Sequence, residues 1–398
     1  MKKKVLYFIP EFPRLTETFI EREISKLVNL GNLDLTVFSF AKASGNTSHE
    51  VLERTVYKRI SVLDVFLSLP FIISKSKLIK KLWEVYTSEK EGSFFSKIFF
   101  FYKSIIYCYI FEKFKPDHIH CHFVSYPSTI AFFASNLLNV SYSISGHAKD
   151  VFVEAELCKT KAETAKFISI CNKNAYLKFL ELAGGVDRAN VHLIFHGVDS
   201  SAIFEPSNTE KLALPMIYSI ARLVEKKGLS HLIEASKILF DNGIKHYLFI
   251  AGPGPLYETL LKQINSYNLS EYIKILGEGK GISNKEAMKF MQQCDILVMN
   301  SLVTNDGDVD GVPTAVIEAS LAKKPVVATN VGSIEDLITP ETGVIVPQKD
   351  AAALAAALQD LIKNPQKGDA LALRAYYKAL EMFNLEKNVS KIDRLILE

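Results

Sequence analysis

The sequence predicts an α/β protein of two domains, each a doubly wound parallel sheet. Its 398 residues exceed the roughly 100–200 that are typical of one domain. Short apolar runs alternate with longer segments of helical periodicity, which favours parallel strands covered by helices on both faces. Strand periodicity stops within 199–215, a segment rich in Ser, Pro and Asn, and resumes directly afterwards. We therefore predict one domain over 1–205, joined by a C-terminal helix at about 380–398, and a second domain over 206–380.

The predicted strands fall into two series of six, with helices between them. The first series is 5–9, 33–40, 118–123, 142–145, 167–170 and 191–195. The second series is 216–220, 247–251, 273–276, 296–299, 326–328 and 344–346. Capping boxes at Thr18 with Glu21 and at Ser283 with Glu286 predict helix starts. A final helix over about 369–398 is long enough to leave the second domain and pack on the first.

Composition and charge exclude several classes of protein. The chain is 48% hydrophobic and 23% charged, as ordinary globular proteins are, and its net charge of +3 gives no reason to expect a nucleic-acid partner. Five cysteines without a C-x-x-C pair favour neither a disulfide framework nor a zinc ribbon. The first apolar run is too short for a signal peptide, and no uncharged stretch reaches the ~18 residues of a spanning helix. These observations predict a cytoplasmic protein.

A basic loop over 219–228 is the strongest local signal. A predicted strand ends there and is followed by Arg222, Lys226, Lys227 and Gly228 before the next helix. Cations and a helix N-terminus at the carboxyl end of a parallel strand suit a diphosphate. A solvated basic loop is the alternative from this pattern alone.

Four segments resemble those of a known enzyme family. The stretches 221–228 and 310–319 resemble the diphosphate motif and the paired acidic motif of family-four retaining glycosyltransferases. The stretches 12–19 and 146–150 are similar to those of exopolysaccharide glycosyltransferases of the colanic-acid type. The resemblance extends from about residue 5 to about residue 365, with the motifs in the expected order.

The resemblance implies the GT-B fold, in which two Rossmann-like domains face a cleft. The first domain would bind the acceptor and the second the donor. The implied reaction is a retaining transfer of a hexose from a UDP- or GDP-sugar to a glycan or lipid-linked acceptor, in exopolysaccharide or lipopolysaccharide biosynthesis. It needs neither a metal nor another cofactor.

The resemblance also implies roles for individual residues. His147 and Asp310 would be catalytic, although the position of Asp310 is more often Glu in the family. Arg222 and Lys227 would hold the diphosphate, and Glu318 would bind the ribose hydroxyls. The remaining donor-side residues are Gly254 and Gly279 near the base, and Gly311, Val312, Pro313 and Thr314 near the sugar and phosphate. The acceptor side would comprise Arg14, Thr16, Thr18 and His122.

The acidic loop before the second motif permits two metal-site interpretations. Asp306, Asp308 and Asp310 begin like a calcium loop, but the twelfth position is Ile317 instead of a bidentate Glu. The pair Asp308 and Asp310 also resembles the D-x-D motif of the GT-A fold, which follows an early strand in a one-domain enzyme.

Histidines offer two further candidate sites. His118, His120 and His122 alternate on one predicted strand and share a face, where three imidazoles suit zinc, although no carboxylate or Cys stands at ligand spacing. His196 precedes Gly197 at the end of the first domain, where we predict a hinge-side loop. We predict no metal.

The segment 66–114 is aromatic and basic. Such a surface can lie on anionic lipid, which would give weak peripheral association with a membrane, but buried helices with solvated lysines explain it equally. Two other functions stay open for the whole chain. One is a nucleotide-sugar epimerase or a sugar phosphorylase of the same fold, and the other is a non-catalytic sugar-nucleotide binding protein.

Overall fold

The chain divides into two compact units in the computed structural model, which describes residues 2–14, 17–185, 189–198, 212–303 and 311–398. The first unit is Met1–Gly197 with Leu385–Glu398, and the second is Val198–Asn384. The sequence boundaries of 205/206 and about 380 differ from these by a few residues. Most of the predicted linker lies outside the described residues.

The first domain contains a sheet of seven parallel strands in the order β3-β2-β1-β4-β5-β6-β7. The strands are β1 Lys3–Phe12, β2 Leu33–Lys42, β3 Thr55–Tyr57, β4 His118–His122, β5 Ser141–Gly146, β6 Phe167–Ile170 and β7 Val191–Leu193. Six of them match the predicted series. The prediction missed β3 because this edge strand has only three residues, all partly or fully exposed, and so carries no apolar run.

Helices cover both faces of this sheet. They are α1 Thr18–Leu30, α2 His49–Glu53, α3 Val62–Leu67, α4 Leu69–Ser74, α5 Ser76–Glu89, α6 Phe94–Glu112, α7 Tyr126–Leu138, α8 Ala148–Phe152, α9 Cys158–Thr164, α10 Lys173–Leu182 and α17 Leu385–Leu397. Successive side chains of a strand point to opposite faces of the sheet, so each strand contributes to two hydrophobic cores. Leu6 and Phe8 pack with α5, α6 and α7, whereas Val5 and Tyr7 pack with α1 and α17.

The second domain has six parallel strands in the order β10-β9-β8-β11-β12-β13. They are β8 Met216–Ile220, β9 Tyr247–Ala251, β10 Ile273–Leu276, β11 Ile296–Met299, β12 Val326–Thr329 and β13 Val344–Val346, as the sequence predicts to within a residue. The helices are α11 Leu229–Asp241, α12 Tyr257–Ser266, α13 Asn284–Gln293, α14 Thr314–Leu321, α15 Ala351–Lys363 and α16 Pro365–Met382, with 3-10 turns at Glu225–Lys227, Gly277–Gly279 and Ile334–Asp336.

The end of the chain differs from the single long helix that the sequence predicts. Helix α16 ends at Met382, and α17 begins at Leu385 as a separate helix of the first domain. The buried residues Val389, Ile392 and Ile396 of α17 pack into the core beside α1. The return to the first domain is therefore confirmed, but through a break after α16, where the amide of Val198 donates to the carbonyl of Phe383 (2.9 Å).

One predicted capping box forms and the other does not. The Ser283 hydroxyl accepts the Glu286 amide, and the Glu286 carboxylate accepts the Ser283 amide (3.1 Å). The box at Thr18 was wrong, because Thr18 is already the first residue of α1 and Glu17 precedes it without a side-chain cap.

Within the described residues, α6 is the one helix long and apolar enough to cross a membrane, with a mean hydropathy of 1.3. The sequence criterion missed it because Lys97 and Lys103 interrupt the apolar run. The second half of α6 packs in the core of the first domain, from Phe101 to Phe111. This burial is typical of a core helix of a globular domain.

Candidate functional site

Each sheet has a topological switch point, where the order of the strands reverses. In the first sheet it lies between β1 and β4, and in the second between β8 and β11. Ligands of open α/β sheets bind outside the carboxyl ends of the strands at such points. The basic loop follows β8, and His122 is the last residue of β4, so predicted site residues flank both switch points.

The basic loop of the second domain turns tightly after β8. Arg222 is exposed, and Lys227 ends the 3-10 turn that leads into Gly228 and α11. Gly228 has φ +58°, and a Cβ there would lie 2.2 Å from the carbonyl oxygen of Asn300. Glycine is therefore required for this close approach between the loops that follow β8 and β11.

Backbone hydrogen bonds join the basic loop to the glycine-rich loops after β9 and β10. The Leu223 amide donates to the Pro253 carbonyl (2.8 Å), and the Leu256 amide donates to the Leu223 carbonyl (3.1 Å). The Gly254 amide donates to the Gly279 carbonyl (3.1 Å). Gly254 and Gly279 thus lie on loops joined to the basic loop, and their donor-side roles stay a prediction.

The loop after β11 is bound to the other side of the basic loop. The Asn300 side-chain amide donates to the Gly228 carbonyl (2.8 Å), and the Leu302 amide donates to the Lys226 carbonyl (2.7 Å). The loops after β8, β9, β10 and β11 therefore form one hydrogen-bonded edge. This edge holds the cations of the basic loop on a fixed backbone.

Helix α14 begins next to this edge. Its first residue, Thr314, is exposed, and Gly311, Val312 and Pro313 before it are half-buried. The free amides at a helix N-terminus favour anions. Asp310 lies outside the described residues, as do Asp306 and Asp308, so the structure tests neither the catalytic role nor the metal interpretations of this loop.

Glu318 lies in α14, near enough to β8 for its charge to act on Tyr218. Burial, and to a smaller extent the charges of Cys294 and Glu318, raise the pKa of Tyr218 on β8 far above its ordinary value. The Tyr218 side chain is fully buried, and its hydroxyl has no hydrogen-bond partner among the described residues. Glu318 is half-buried, and its contact with the ribose stays a prediction.

The acceptor-side roles of Arg14, Thr16 and Thr18, which follow β1, stay a prediction. Arg14 is exposed and forms ion pairs with Glu11 (3.3 Å) and Glu17 (3.1 Å) on either side of it. Thr18 is exposed at the start of α1, and Thr16 lies outside the described residues.

Histidines and serines pair along β4 and β5 on the face covered by α1 and α17. His118 contacts the hydroxyls of Ser141 and Ser143, both at 2.7 Å, and His120 contacts those of Ser143 (2.7 Å) and Ser145 (3.0 Å). The predicted common face of the three β4 histidines is confirmed. Buried hydroxyls satisfy the ring nitrogens of the first two.

The third β4 histidine begins a chain of imidazoles. His122 Nδ1 lies 3.0 Å from His147 Nε2, and His147 Nδ1 lies 3.0 Å from His196 Nε2. The rings of His122 and His147 are nearly parallel, as a hydrogen bond in the ring plane requires, and Phe19 of α1 stacks on His196. We call His122, His147 and His196 the histidine row. Exposure increases along it, from the fully buried His122 to the half-buried His196.

A buried carboxylate anchors the inner end of this row. Glu23 Oε1 lies 3.4 Å from His122 Nε2 and accepts the hydroxyl of Tyr7, which also lies 3.2 Å from His122 Nε2. Burial alone would raise the pKa of Glu23, but the charges and hydrogen bonds of His122, His120 and Tyr7 outweigh it and lower the pKa to about 2. Glu23 is therefore ionised at neutral pH.

Three imidazoles near this carboxylate, those of His120, His147 and His196, have lowered pKa values. Burial and the neighbouring His122 lower the pKa of His120 to about 3. Burial lowers the pKa of His196 to about 4, and burial with the adjacent imidazoles lowers that of His147 well below its ordinary value. All three are therefore neutral at pH 7.

Two buried charges hold the loop that carries His147. The Asp150 carboxylate accepts the amides of His147 (2.8 Å) and Val124 (2.5 Å), and Lys161 Nζ donates to the Val124 carbonyl (2.6 Å). Burial raises the pKa of Asp150 to about 7 and lowers that of Lys161 to about 8. His147 thus has both ring nitrogens and its amide engaged within the domain.

Two groups of described residues place ligand atoms close enough together for a metal ion. They are Glu23 with His120 and His122, and His147 with Cys171 and His196. Each of these histidines already uses ring nitrogens in hydrogen bonds, and burial raises the pKa of Cys171 to about 12, away from the thiolate that binds zinc. Hydrogen bonding within the protein accounts for both groups, and the metal-free reaction remains a prediction.

Tyr7 and Glu23 were not predicted from the sequence, and His196 was predicted to lie on a hinge-side loop. A signal for Glu23 was present, because it shares the apolar face of α1 with Ile20, Ile24 and Leu27 at helical spacing. A carboxylate at such a position must have a buried partner. Nothing in the sequence links His196 to His147, which lies 49 residues earlier.

Residues 201–378 match the family Glycosyl transferases group 1. Over 173 residues the chain is 34% identical to WcaL of Escherichia coli strain K12, named for colanic acid biosynthesis, and over 169 residues it is 35% identical to the amylovoran biosynthesis glycosyltransferase AmsK of Erwinia amylovora. These matches cover 43% and 42% of this chain, and 42% and 41% of the relatives. The chain therefore matches less than half the length of these relatives.

Solved structures resemble the whole chain at low sequence identity. A glycosyltransferase of Rickettsia africae has a TM-score of 0.69 at 16% identity, covering 99% of this chain and 98% of its own. Alr3699/HepE of Anabaena, solved with UDP, has a TM-score of 0.65 at 15% identity, covering 98% of each chain. The resemblance predicted from the motifs is thus confirmed, and the chain has the GT-B fold with a group 1 glycosyl transferase match over residues 201–378.

Proposed function

We propose that this protein is a retaining glycosyltransferase that moves a hexose from a nucleotide diphosphate sugar to a glycan or lipid-linked acceptor. The observation that carries the proposal is the hydrogen-bonded edge of the second domain. It combines the exposed Arg222, the neighbouring Lys227 and the N-terminus of α14 within the segment that matches the group 1 family. The names of WcaL and AmsK support exopolysaccharide biosynthesis as the setting.

The chemistry of the proposed reaction follows from the charge that develops on the leaving diphosphate. Arg222, Lys227 and the amides at the start of α14 stabilise this negative charge from fixed positions. The leaving phosphate accepts the proton of the acceptor hydroxyl in the simplest version of a front-face attack. In the proposed site Glu318 binds the ribose and Asp310 lies by the transferred sugar. Metal ions take no part.

Product analysis separates this function from its rivals. The protein is incubated with a nucleotide sugar and acceptor glycans, and the products are followed by proton NMR. Transfer with retention yields nucleoside diphosphate and a glycoside with the anomeric configuration of the donor. An inverted product contradicts the proposed mechanism, and consumption of donor without acceptor indicates an epimerase. A phosphorylase of this fold would show the absorbance of bound pyridoxal phosphate. Donor binding without turnover indicates a non-catalytic protein.

We also propose an anionic membrane surface as a partner, through the apolar faces of α3, α4 and α6. The exposed large apolar residues of these helices are Val62, Leu63, Phe66, Leu67, Leu69, Ile73, Phe94, Phe95, Ile98, Phe99 and Tyr102. The buried-helix alternative therefore explains only part of the segment 66–114. Neither 65–83 nor 92–111 contains Asp or Glu, and together they contain six lysines. Exposed apolar side chains with lysines close to them suit anionic lipid. We propose that the protein associates peripherally with the cytoplasmic face of a membrane.

Flotation with vesicles tests this partner. We expect binding to vesicles that contain phosphatidylglycerol at low salt, weaker binding at high salt, and little binding to pure phosphatidylcholine. The variant Phe95→Ser with Phe99→Ser should lose binding, whereas Leu177→Ser with Tyr377→Ser, which changes exposed residues elsewhere, should keep it. Equal flotation of both double variants, or none by the unmodified protein at low salt, would contradict the proposal.

A further inference from the structure

We propose that Asp150 is a positioning residue for His147, and that Lys161 supports it by holding the turn after β4. The inference rests on the proposed function, because the family resemblance gives His147 a catalytic role in that reaction. The observations that carry it are the hydrogen bonds of these two buried side chains to the loops after β4 and β5, and the strained backbone of Phe123 beside them.

The Asp150 carboxylate joins the loops that follow two neighbouring strands. Its Oδ1 accepts the amide of His147, the residue directly after β5 (2.8 Å), and its Oδ2 accepts the amide of Val124, in the loop after β4 (2.5 Å). Within the described residues neither amide has another acceptor. The position of His147 relative to the end of β4 therefore depends on this one side chain.

Lys161 binds the same turn through its carbonyl groups. Its Nζ donates to the carbonyls of Val124 (2.6 Å) and Ser125 (3.2 Å). The amide of Val124 is thus held by a buried carboxylate and its carbonyl by a buried amine. Lys161 is fully buried, and the negative charge of Glu156 favours its charged form.

Phe123, between β4 and this turn, has a backbone conformation that bulky residues rarely adopt. Its φ is +77°, in the left-handed region. Its amide donates to the carbonyl of Ser145 (2.8 Å), and the bonds to Val124 hold the residue that follows it. The Phe123 ring meets the His147 ring edge-on, with 5.1 Å between centroids. Such strain persists only where the surrounding structure holds it, and it concentrates at functional sites.

A helix cap alone does not account for Asp150. Its bond to the His147 amide caps α8, but α8 has only five residues, and the second carboxylate oxygen binds a different loop. Burial raises the pKa of Asp150 to about 7, against the two amides that favour its ionised form, so the carboxylate costs stability. A buried charge that costs stability and fixes one loop is typical of a functional site.

Hydrogen exchange and NMR test the positioning independently of catalysis. The measurements are made at pH 8, where the Asp150 carboxyl is mostly ionised. In Asp150→Asn one amide loses its acceptor, so we expect faster exchange at Val124 or His147 and shifted signals of the His147 ring. Asp64→Asn is the matched control, because Asp64 is a buried carboxylate that caps α3 through the amide of Ser61 (2.9 Å), and it should change neither. Unchanged exchange and unchanged ring signals in Asp150→Asn would overturn the proposal.

A double-mutant cycle tests whether Asp150 acts through His147. In Asp150→Asn we expect kcat to fall about fivefold with an unchanged KM for the donor, because one buried hydrogen bond is lost and the ring is displaced but kept. Lys161→Met should act in the same direction, and Asp64→Asn should have normal kcat. In a His147→Ala background, which already lacks the ring, Asp150→Asn should lower kcat no further.

Two kinetic results would contradict this role. Normal kcat in Asp150→Asn, or the same fall in both backgrounds, would show that Asp150 does not act through His147. Absence of transfer by the unmodified protein would refute the proposed function, while the exchange and NMR results would still decide whether Asp150 holds His147 in place.

Discussion

The carboxyl edges of the two sheets differ in whether their polar and charged side chains are buried or exposed. In the first domain the polar groups are buried and bonded to one another, and the histidine row ends at an ionised Glu23. In the second domain the backbone loops are bonded to one another, and Arg222 is left exposed above them. A fixed backbone with an exposed guanidinium suits a charged ligand that binds and is released. A closed polar row suits the positioning of a neutral group.

The largest expected effect is on the hydrogen-bonded edge of the second domain, which we call the open edge because Arg222 is exposed on it. Removing Arg222 or Lys227 should reduce kcat/KM by roughly ten- to a few-hundred-fold, because a charge-assisted hydrogen bond contributes about 1.5–3 kcal/mol. The double variant should lose less than the sum if both cations contact one phosphate group. Steady-state kinetics of Arg222→Ala, Lys227→Ala and the double variant checks this.

A matched control for these cations is Lys237→Ala. Lys237 lies on α11 of the same domain and forms an exposed ion pair with Asp241, which contributes well under ~1 kcal/mol. We expect its kinetics to be normal. Near-normal kcat/KM in both Arg222→Ala and Lys227→Ala would show that the open edge does not bind the donor.

The second expected effect is on the stability of the protein in acid, because the ionised Glu23 is buried in the first domain. The pKa of Glu23 is about 2 in the folded protein and 4.5 ordinarily, so its stabilisation is present above pH 4.5 and is lost as the pH falls towards 2. This difference corresponds to about 3 kcal/mol. Urea unfolding should therefore show a flatter pH dependence for Glu23→Gln between pH 4.5 and 2. Parallel curves for the two proteins would mean that Glu23 is not held as a carboxylate.

A smaller effect on turnover is expected from replacing His147, the middle residue of the histidine row. His147→Ala removes two buried hydrogen bonds, so we expect kcat to fall about tenfold, while calorimetry finds donor affinity nearly unchanged. His192→Ala on β7 is the control and should have normal turnover. A collapse of donor affinity with normal residual turnover would place His147 on the donor side.

The smallest expected effect is that of chelation. We expect EDTA to leave turnover unchanged, because the proposed site stabilises the diphosphate with cationic side chains and helix amides. Turnover that is lost in EDTA and restored by Mn²⁺ or Mg²⁺ would contradict this and support a metal site at Asp308 and Asp310.

The sequence predicted most of the fold because burial imposes strong patterns on parallel strands. Of the thirteen strands in the described residues, twelve carry an apolar run or an alternating pattern that predicted them, whereas the edge strand Thr55–Tyr57 was missed. The break between α16 and α17 was missed because helical periodicity runs through both. In the site, Arg222 and Lys227 were predicted from local sequence. The pairing of His196 with His147 depends on contacts between β5 and β7 loops, and sequence spacing does not encode such contacts.

The central claim is that the open edge of the second domain binds the diphosphate of a sugar nucleotide. Isothermal titration of the unmodified protein and the Arg222→Ala/Lys227→Ala double variant with UDP-, GDP- and ADP-sugars tests it most directly. We predict binding restricted to donors of one base, weakened at least tenfold in the double variant and unchanged in Lys237→Ala. Absence of binding by any donor, or equal affinity in the unmodified protein and the double variant, would contradict the claim.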